Sequence, residues 1–548
     1  MNNTTSKAIL TIVAVLSASA AWAQAGSNSS GYETYFIYGL IAVAVLVFFM
    51  IILQVSDNLM VIEAKQSGAA GNGANFSLFP NWKELFAPRL PEYLEGKPLA
   101  FLRRGHNINL EGEAEKMLDE SVKARTFAMQ PPNFIGISPI PKVEVEVGDE
   151  VKAGDHLFYD KKRPEVKYVA PVSGEVIAIN RGAKRSISEV VILADKEIKY
   201  RKLDAFSLEG SSREELVSYL LDTGVWPLIR QRPYGVVPDH NEAPRDIFIS
   251  TFDTAPLAPN LNFVIEGQEE AFQKGLDVLN KLTDGKVYLG LDGRGKEKPH
   301  AAFTEAKGVE IHYFHGKHPA GNVGIQIHHT RPIGGGDKVW TLGVQEVATI
   351  GRIFTEQRFN AERVVVLAGA ELKQPRYVRT YIGANVGDLI KDNLANDHVR
   401  LISGDVLSGM KKTAEGFLNV YDDQLTVVLE GDDYELFGWL IPSLNTPSIS
   451  PTLPSALLPN IKKRAETNTH GEKRAFVVTG SYESVLPMDI YPQELMKSIL
   501  VGDFEKIEGM GIYELSEEDV ALCEFVCVSK QPVQQILRQG LDMMREQA

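Results

Sequence analysis

The chain has 548 residues, of which 44% are apolar and 23% charged, so its composition is that of a folded protein and its length predicts three or four domains. The formal net charge of -14 repels phosphate backbones and disfavours a nucleic-acid partner. The sequence contains two cysteines, Cys523 and Cys527, which argues against a disulfide-stabilised exported fold.

Two apolar segments begin the chain. Residues 1–23 carry a lysine, an apolar run and small residues near Ala23, which are typical of a signal peptide or a first membrane segment. Residues 35–55 contain no charged residue and are long enough to cross a hydrocarbon core of about 30 Å as one N-terminal transmembrane helix. The alternative, a buried core helix, should show a polar face. Lysine and arginine follow this segment, so we expect the large domain on the cytoplasmic side.

A linker and a small β domain come next. Residues 56–100 are rich in Gly, Ala and Asn and then in Pro, which indicates a connector. In residues 101–205, Val143, Val145 and Val147 alternate with glutamates, as in a half-buried strand. The steps VGDEVKAGDHLF and APVSGEV resemble the barrel-sandwich of biotinyl and lipoyl domains. Lys161 and Lys162 lie near the position of a modified lysine, but the modification motif is missing. A lipoyl or biotinyl carrier is therefore the less favoured alternative.

The remaining sequence predicts three further domains, giving an α+β/α/β multidomain fold. Residues 206–360 begin with a capping box at Ser212 and Glu215 and then alternate strands with a helix, as in a Rossmann-like α/β unit. The strands are predicted over 246–252, 286–291 and 309–315, and the helix over 268–283. Residues 361–417 have the pattern of a β-grasp (SLBB-like) module. Residues 418–548 are mixed and then helical from about Tyr482.

Two candidate ligand sites are weak. The histidines 312, 315 and 318 are spaced by three along a strand and loop, so alternate faces would separate them, and no cysteine or carboxylate completes a metal set. We predict no metal site. The stretch 290–295 follows a strand but lacks the G-x-G-x-x-G spacing, so a surface turn is favoured over an NADH site.

Six stretches resemble one known family in the order in which that family has them. They are VGDEVKAGDHLFYDKK, APVSGEVIAINRGAKR, DTGVWPLIRQRPYGVVP, HPAGNVGIQIHH, ERVVVLAGAELKQPRYVRT and ELSEEDVALCEFVC. The chain is identified from them as similar to the NqrA family, the NqrA subunits of the sodium-translocating NADH:quinone oxidoreductase, Na+-NQR. The N-terminal extension departs from the family pattern, in which this subunit is peripheral.

The resemblance implies a role in a membrane complex. Such a complex is a translocase of the cell inner membrane that oxidises NADH, reduces ubiquinone and exports Na+. This chain would dock on the other five subunits and act in the later electron-transfer step, from ubisemiquinone to ubiquinol, without a complete active site of its own. NADH, the flavins and the iron–sulfur centres would belong to other subunits.

The family's kinship with the flavin subunit of complex I makes two departures informative. The glycine-rich loop that lies against the flavin phosphate in those relatives is replaced here by a stretch with Trp226, Pro227 and Arg230, so the resemblance implies no bound FMN. Two thiolates do not complete a four-thiolate cluster. Cys523 and Cys527 are therefore interpreted as a vestigial cluster position, and no covalent or redox cofactor is expected in this chain.

Two groups of candidate site residues remain, while catalytic residues are unknown. His318, Pro319 and Gly321 are quinone-proximal candidates, because an imidazole N–H can donate a hydrogen bond to a quinone carbonyl. Arg181, Lys184 and Arg185 form a basic group on an acidic chain and are candidates for docking to a membrane subunit or to lipid head groups. A scaffold subunit without quinone contact is the alternative function.

Overall fold

The computed structural model describes residues 38–49, 51–52, 55–56, 91–432, 446–449, 458 and 460–547. The chain divides into two compact units, Met1–Leu90 and Pro91–Ala548. In the first unit, residues 38–49 are helical, as are 51–52 and 55–56. Among the described helices, none is both long and apolar enough to cross a membrane. The predicted segment 1–23 lies outside the described residues, and the predicted span 35–55 and linker 56–100 are described only in part.

The second unit contains strands and helices throughout. Its strands are β1 (Leu99–Phe101), β2 (Leu118–Asp119), β3 (Thr126–Met129), β4 (Lys142–Val143), β5 (Glu150–Val151), β6 (His156–Asp160), β7 (Arg163–Val169), β8 (Gly174–Arg181), β9 (Ile187–Ala194), β10 (Arg230–Arg232), β11 (Asp246–Ser250), β12 (Val287–Asp292), β13 (Glu310–His315), β14 (Val339–Leu342), β15 (Glu362–Ala368), β16 (Arg376–Tyr381), β17 (Val399–Ser403), β18 (Met410–Lys412) and β19 (Gln424–Leu429). Its α-helices are α1 (Arg213–Thr223), α2 (Leu261–Val264), α3 (Glu269–Leu282), α4 (Ala301–Thr304), α5 (Val323–Thr330), α6 (Val344–Glu356), α7 (Val386–Ile390), α8 (Ser481–Val485), α9 (Pro492–Val501), α10 (Phe504–Gly509), α11 (Glu517–Phe525) and α12 (Val533–Gln547).

The predicted barrel-sandwich is confirmed. It consists of a four-stranded sheet, β3-β9-β8-β5, and a three-stranded sheet, β4-β6-β7. The strand predicted through Val147 ends at Val143, because the N–H of Glu146 turns to the carboxylate of Asp149, at 2.7 Å, instead of continuing the ladder. Lys161 and Lys162 are exposed at the turn between β6 and β7.

The predicted Rossmann-like unit is a six-stranded sheet with the order β1-β13-β12-β11-β14-β10. All neighbouring strands in it are parallel except β10, which is antiparallel to β14. Helix α1 begins with the predicted capping box and ends at Gly224, whose φ is +78°. A Cβ at Gly224 would lie 2.2 Å from a methyl carbon of Val169 in β7. The absence of a side chain at Gly224 therefore allows the end of α1 to pack directly against the barrel-sandwich.

Two short strands pair with strands that are distant from them in the sequence. β1 is the edge strand of the α/β sheet, and β2 pairs with β16 at the edge of the β-grasp sheet. The chain therefore contributes to both of those sheets before it forms the barrel-sandwich at β3. Residues 99–205, which include the end of the predicted linker and the whole predicted barrel-sandwich domain, supply strands to three domains.

The β-grasp module and the helical region complete the unit. The β-grasp sheet has the order β18-β17-β19-β15-β16-β2, and α7 lies in the loop after β16. Helices α8–α12 form the predicted helical carboxy-terminal region around a core of their own. Leu102 and Phe314 of the α/β unit share that core, so the two regions pack together through apolar contact.

Candidate functional site

A cavity of about 250 Å³ lies at the carboxyl edge of the parallel sheet. Ser250 and Asp253 line it from the end of β11, and Gly343 lines it at the start of α6. The β-grasp module contributes Asp405, and the helical region contributes Glu518. Three domains thus meet at the edge where open α/β sheets place their ligands.

Six carboxylates line this cavity. They are Asp253, Glu346, Asp405, Asp422, Asp423 and Glu518. Two buried arginines form ion pairs with some of these carboxylates. Arg363 pairs with Glu346 and, at 2.7 Å, with Asp423, while Arg232 pairs with Glu518 at 2.6 Å. Arg230 also lines the cavity, with its guanidinium carbon 5.0 Å from the ring centre of Tyr421.

Asp253 is a cavity carboxylate without an ion pair among the described residues. It is exposed at the cavity wall, where the surrounding protein groups displace part of its water and raise its pKa to about 6, while the N–H of Ala255 opposes this shift and the charge of Asp405 adds to it. The side chain reaches the cavity and has no cation within ion-pair distance among the described residues. Between pH of about 4 and 6 the folded chain therefore binds more protons at this position than the unfolded chain does, and stability falls as pH rises.

We expect Asp253→Asn to raise the melting temperature slightly at a pH of about 7.5 and to flatten its decline between pH of about 4 and 6, because the amide carries no charge, and solvent at this exposed position keeps the effect small. Thermal unfolding of the full chain across this pH range measures the effect. Asp239→Asn is the matched control, and it should lower the melting temperature instead, since the N–H of Asn241 lowers the pKa of Asp239. A lower melting temperature for Asp253→Asn than for the native chain at pH of about 7.5 would contradict this expectation.

His318 lies in the loop after β13 and is buried, with 4% of its surface exposed. Burial lowers its pKa to about 4, so the ring is neutral at pH 7. The hydroxyl of Thr254 accepts from the N–H of Gly321 at 2.9 Å and lies 3.1 Å from Nδ1 of His318. The ring hydrogen lies on Nε2 when the Thr254 hydroxyl donates to Nδ1, and on Nδ1 when that hydroxyl accepts from it. In both tautomers Nε2 is buried without a hydrogen-bond partner among the described residues.

The stretch that replaces the flavin loop is packed with side chains. Trp226 is fully buried, and its ring centre is 5.4 Å from that of Trp340. Its indole N–H donates to the carbonyl of Pro238 at 3.0 Å. The hydroxyl of Tyr421 donates to the carbonyl of Pro227 at 2.6 Å, which ties this stretch to the β-grasp module. Trp226 and Pro227 therefore belong to the core.

The two cysteines are buried in the helical region. The hydroxyl of Tyr482 lies 2.9 Å from Sγ of Cys527 and donates to it. Burial raises the pKa of Cys523, which keeps that thiol protonated. No group of three or more His, Cys, Asp and Glu side chains in the described part of the chain could hold a metal ion.

The sequence-predicted candidates lie in different domains. His318, Pro319 and Gly321 form the loop after β13, where they pack against Asp253 and Thr254. Arg181, Lys184 and Arg185 are exposed at the turn between β8 and β9 of the barrel-sandwich. The acidic cavity was missed, and the aspartate pair at 422–423 beside the apolar strand β19 is the local signal that could have suggested it.

Comparison with known proteins agrees with this architecture. Residues 100–195 match the family model of the NqrA N-terminal barrel-sandwich hybrid domain, residues 211–359 that of the NqrA second alpha/beta domain, and residues 364–414 that of the NQRA C-terminal domain. The NqrA subunit of the Na(+)-translocating NADH-quinone reductase of Alcanivorax borkumensis is 39% identical over 444 residues, which are 80% of this chain and 98% of the relative. The same subunit of Vibrio parahaemolyticus is 36% identical over 449 residues, or 81% and 99%. A crystal structure of an NAD+-reducing NiFe-hydrogenase aligns with 63% of this chain and 66% of its own at 12% identity and a TM-score of 0.32, too low to support an argument.

Fold and site define a multidomain α/β protein in which a barrel-sandwich and a β-grasp module flank a parallel sheet. The chain belongs to the NqrA family, the NqrA subunits of the Na+-translocating NADH-quinone reductase, as the resemblance predicted. It is thus one component of an oxidoreductase complex, and the other subunits of that complex are its partners.

Proposed function

We propose that this chain acts in the later electron-transfer step of the complex, the reduction of ubisemiquinone to ubiquinol that is coupled to Na+ export. The His318–Gly321 loop would adjoin the quinone. NADH, flavins and iron–sulfur centres would reside on the other five subunits, and the large domain would lie on the cytoplasmic side of the cell inner membrane, anchored by residues 35–55.

The unpartnered Nε2 of His318 is the observation that carries this proposal, since no described residue bonds to it. In the tautomer in which the Thr254 hydroxyl donates to Nδ1, Nε2 carries the ring hydrogen and is a neutral donor. An unmade hydrogen bond to a buried donor costs about 1–3 kcal/mol, so an acceptor such as a quinone carbonyl would be bound favourably there. The buried state of His318 requires the loop to open before a quinone reaches it.

The same burial favours the second candidate, a scaffold subunit without quinone contact. In that case Nε2 would stay inside the protein throughout turnover. The cavity-lining residues, the buried arginines and Trp226 would then serve only to hold three domains in one arrangement for the neighbouring subunits.

A photoreactive ubiquinone analogue in the assembled complex separates the two candidates. We expect label on this chain, and we expect His318→Ala to reduce it about fivefold to tenfold, the value of one hydrogen bond. His312→Ala is the matched control, because this histidine lies on β13 with its ring 5.8 Å from Tyr288, outside the loop. Absence of label on this chain, or equal labelling of both variants, would favour the scaffold.

A further inference from the structure

Two loops lie side by side at one end of the α/β sheet. One follows the edge strand β1 and the other follows its neighbour β13. The N–H of Leu102 donates to the carbonyl of His315 at 2.8 Å, and the N–H of His106 donates to the carbonyl of His318 at 2.9 Å. Gly105 permits this approach, since its φ is +122° and a Cβ there would lie 2.4 Å from the carbonyl oxygen of His318.

The side chains on the outer face of these loops are cationic. Leu102 is buried, whereas Arg103, Arg104 and Lys317 are exposed. Arg104 donates to the carbonyl of Met488 at 3.1 Å, which orients it along the surface. Among the described residues, neither Arg103 nor Lys317 forms an ion pair or a side-chain hydrogen bond. These two charges are therefore available to a partner.

His106, in the loop after β1, lies close to two lysines. Burial lowers the pKa of His106, and the charges of Lys317 and Lys463 lower it further. Both neighbouring charges are positive, although the chain as a whole carries a net charge of -14. The patch is thus a local positive region on an acidic protein, and its charges repel one another in the isolated chain.

An aromatic side chain completes the patch. Phe101, the last residue of β1, is 51% exposed, and its ring centre lies 5.3 Å from that of His315. Aromatic and arginine side chains are enriched at the centres of protein interfaces, where they become buried. We define the β1–β13 patch as Phe101, Arg103, Arg104 and Lys317.

We propose that the β1–β13 patch is a docking surface for an acidic face of another subunit of the same complex. This inference rests on family membership and is independent of any quinone contact. Most of this chain repels an acidic partner, so attraction at one positive patch fixes the orientation of docking as well as its strength. Docking would relieve the repulsion among the patch cations and bury Phe101.

The second basic group of the chain is a docking candidate in its own right and provides the comparison. Arg181, Lys184 and Arg185 are also exposed, and Nη1 of Arg181 donates only to the carbonyl of Arg185, at 3.5 Å. Each site can be reversed in charge by surface substitutions alone. We compare Arg103→Glu/Lys317→Glu with Arg181→Glu/Lys184→Glu in the full chain, co-expressed with the other subunits.

Purification through a tag on another subunit measures how much of this chain each complex retains. We expect Arg103→Glu/Lys317→Glu to lower the retained amount about tenfold at about 0.1 M KCl, and Arg103→Gln/Lys317→Gln to lower it less. The native complex should also lose this chain towards about 1 M KCl, where the screening length shortens to about 3 Å. Arg181→Glu/Lys184→Glu tests the second basic group separately, and Lys161→Glu/Lys162→Glu, at the exposed turn between β6 and β7, is the control that should retain the native amount. Thermal unfolding of each purified chain confirms that the variants are folded.

Three results would overturn the proposal. One is native retention of the Arg103→Glu/Lys317→Glu chain. Another is loss on reversal of Arg181 and Lys184 with retention on reversal of the patch. The third concerns lipid: if phosphatidylserine vesicles bound the native chain but not the patch variant, while the complex kept both, the patch would contact a membrane instead.

Discussion

Arg363→Met is expected to lower the free energy of unfolding by about 3–5 kcal/mol, the cost of leaving buried charges without their partner. Arg363 is 2% exposed at its side chain and pairs with Glu346 of α6 and with Asp423 of the β-grasp module. Without the guanidinium, two carboxylates would face each other inside the protein. The midpoint of urea unfolding of the full chain measures the loss.

A surface ion pair on the neighbouring strand serves as the control. Arg379 of β16 pairs with Glu362 at 2.6 Å, but its side chain is 40% exposed, so Arg379→Met should cost less than about 1 kcal/mol. The deficit of Arg363→Met should shrink as the pH falls and the two carboxylates gain protons. Equal losses for the two variants, or a deficit that grows with acid, would disprove this account of Arg363.

Arg232→Met is expected to have an effect of similar size, again about 3–5 kcal/mol, but centred on the helical region. Arg232 donates to Asp519 at 2.7 Å and to Glu518 at 2.6 Å, and the side chain of Asp519 is fully buried. Asp519 also accepts from the N–H of Ser516 in the capping box of α11. Loss of Arg232 should therefore increase amide hydrogen exchange at the start of α11 more than in the barrel-sandwich.

The double variant Arg232→Met/Asp519→Asn isolates the buried charge as the cause. An asparagine at 519 keeps an oxygen for the helix cap but carries no charge, so the double variant should be more stable than Arg232→Met alone. If instead the second substitution added a further full loss, the two residues would act independently and the ion pair would not explain the effect.

Elements with strong local signals were predicted to within a few residues. The capping box at Ser212 and the helix predicted over 268–283 depend on neighbouring residues, and both are found in the structure, the helix as α3. The strands β11 and β12 were predicted with small differences at their ends. In each of these elements the periodicity of the sequence reflects the face that the element buries.

The edge strands and the acidic cavity could not be predicted in this way. β1 and β2 are too short to show periodicity, and their partners β13 and β16 lie more than two hundred residues away in the chain. The cavity carboxylates come from loops and helix starts that meet only when three domains pack together. Likewise, no local pattern distinguishes a histidine that the fold buries, such as His318, from an exposed one.

The position of β1 determines how the second unit would bear a pulling force. β1 runs parallel to β13 through three residue pairs, and the N–H of Tyr313 adds a bond to the carbonyl of Pro98. Tension applied along β1 from its amino-terminal side would load these bonds in shear, so they would share the force rather than break one after another. The pairing of β1 with β13 would thus resist a force that reaches the sheet through the residues preceding β1.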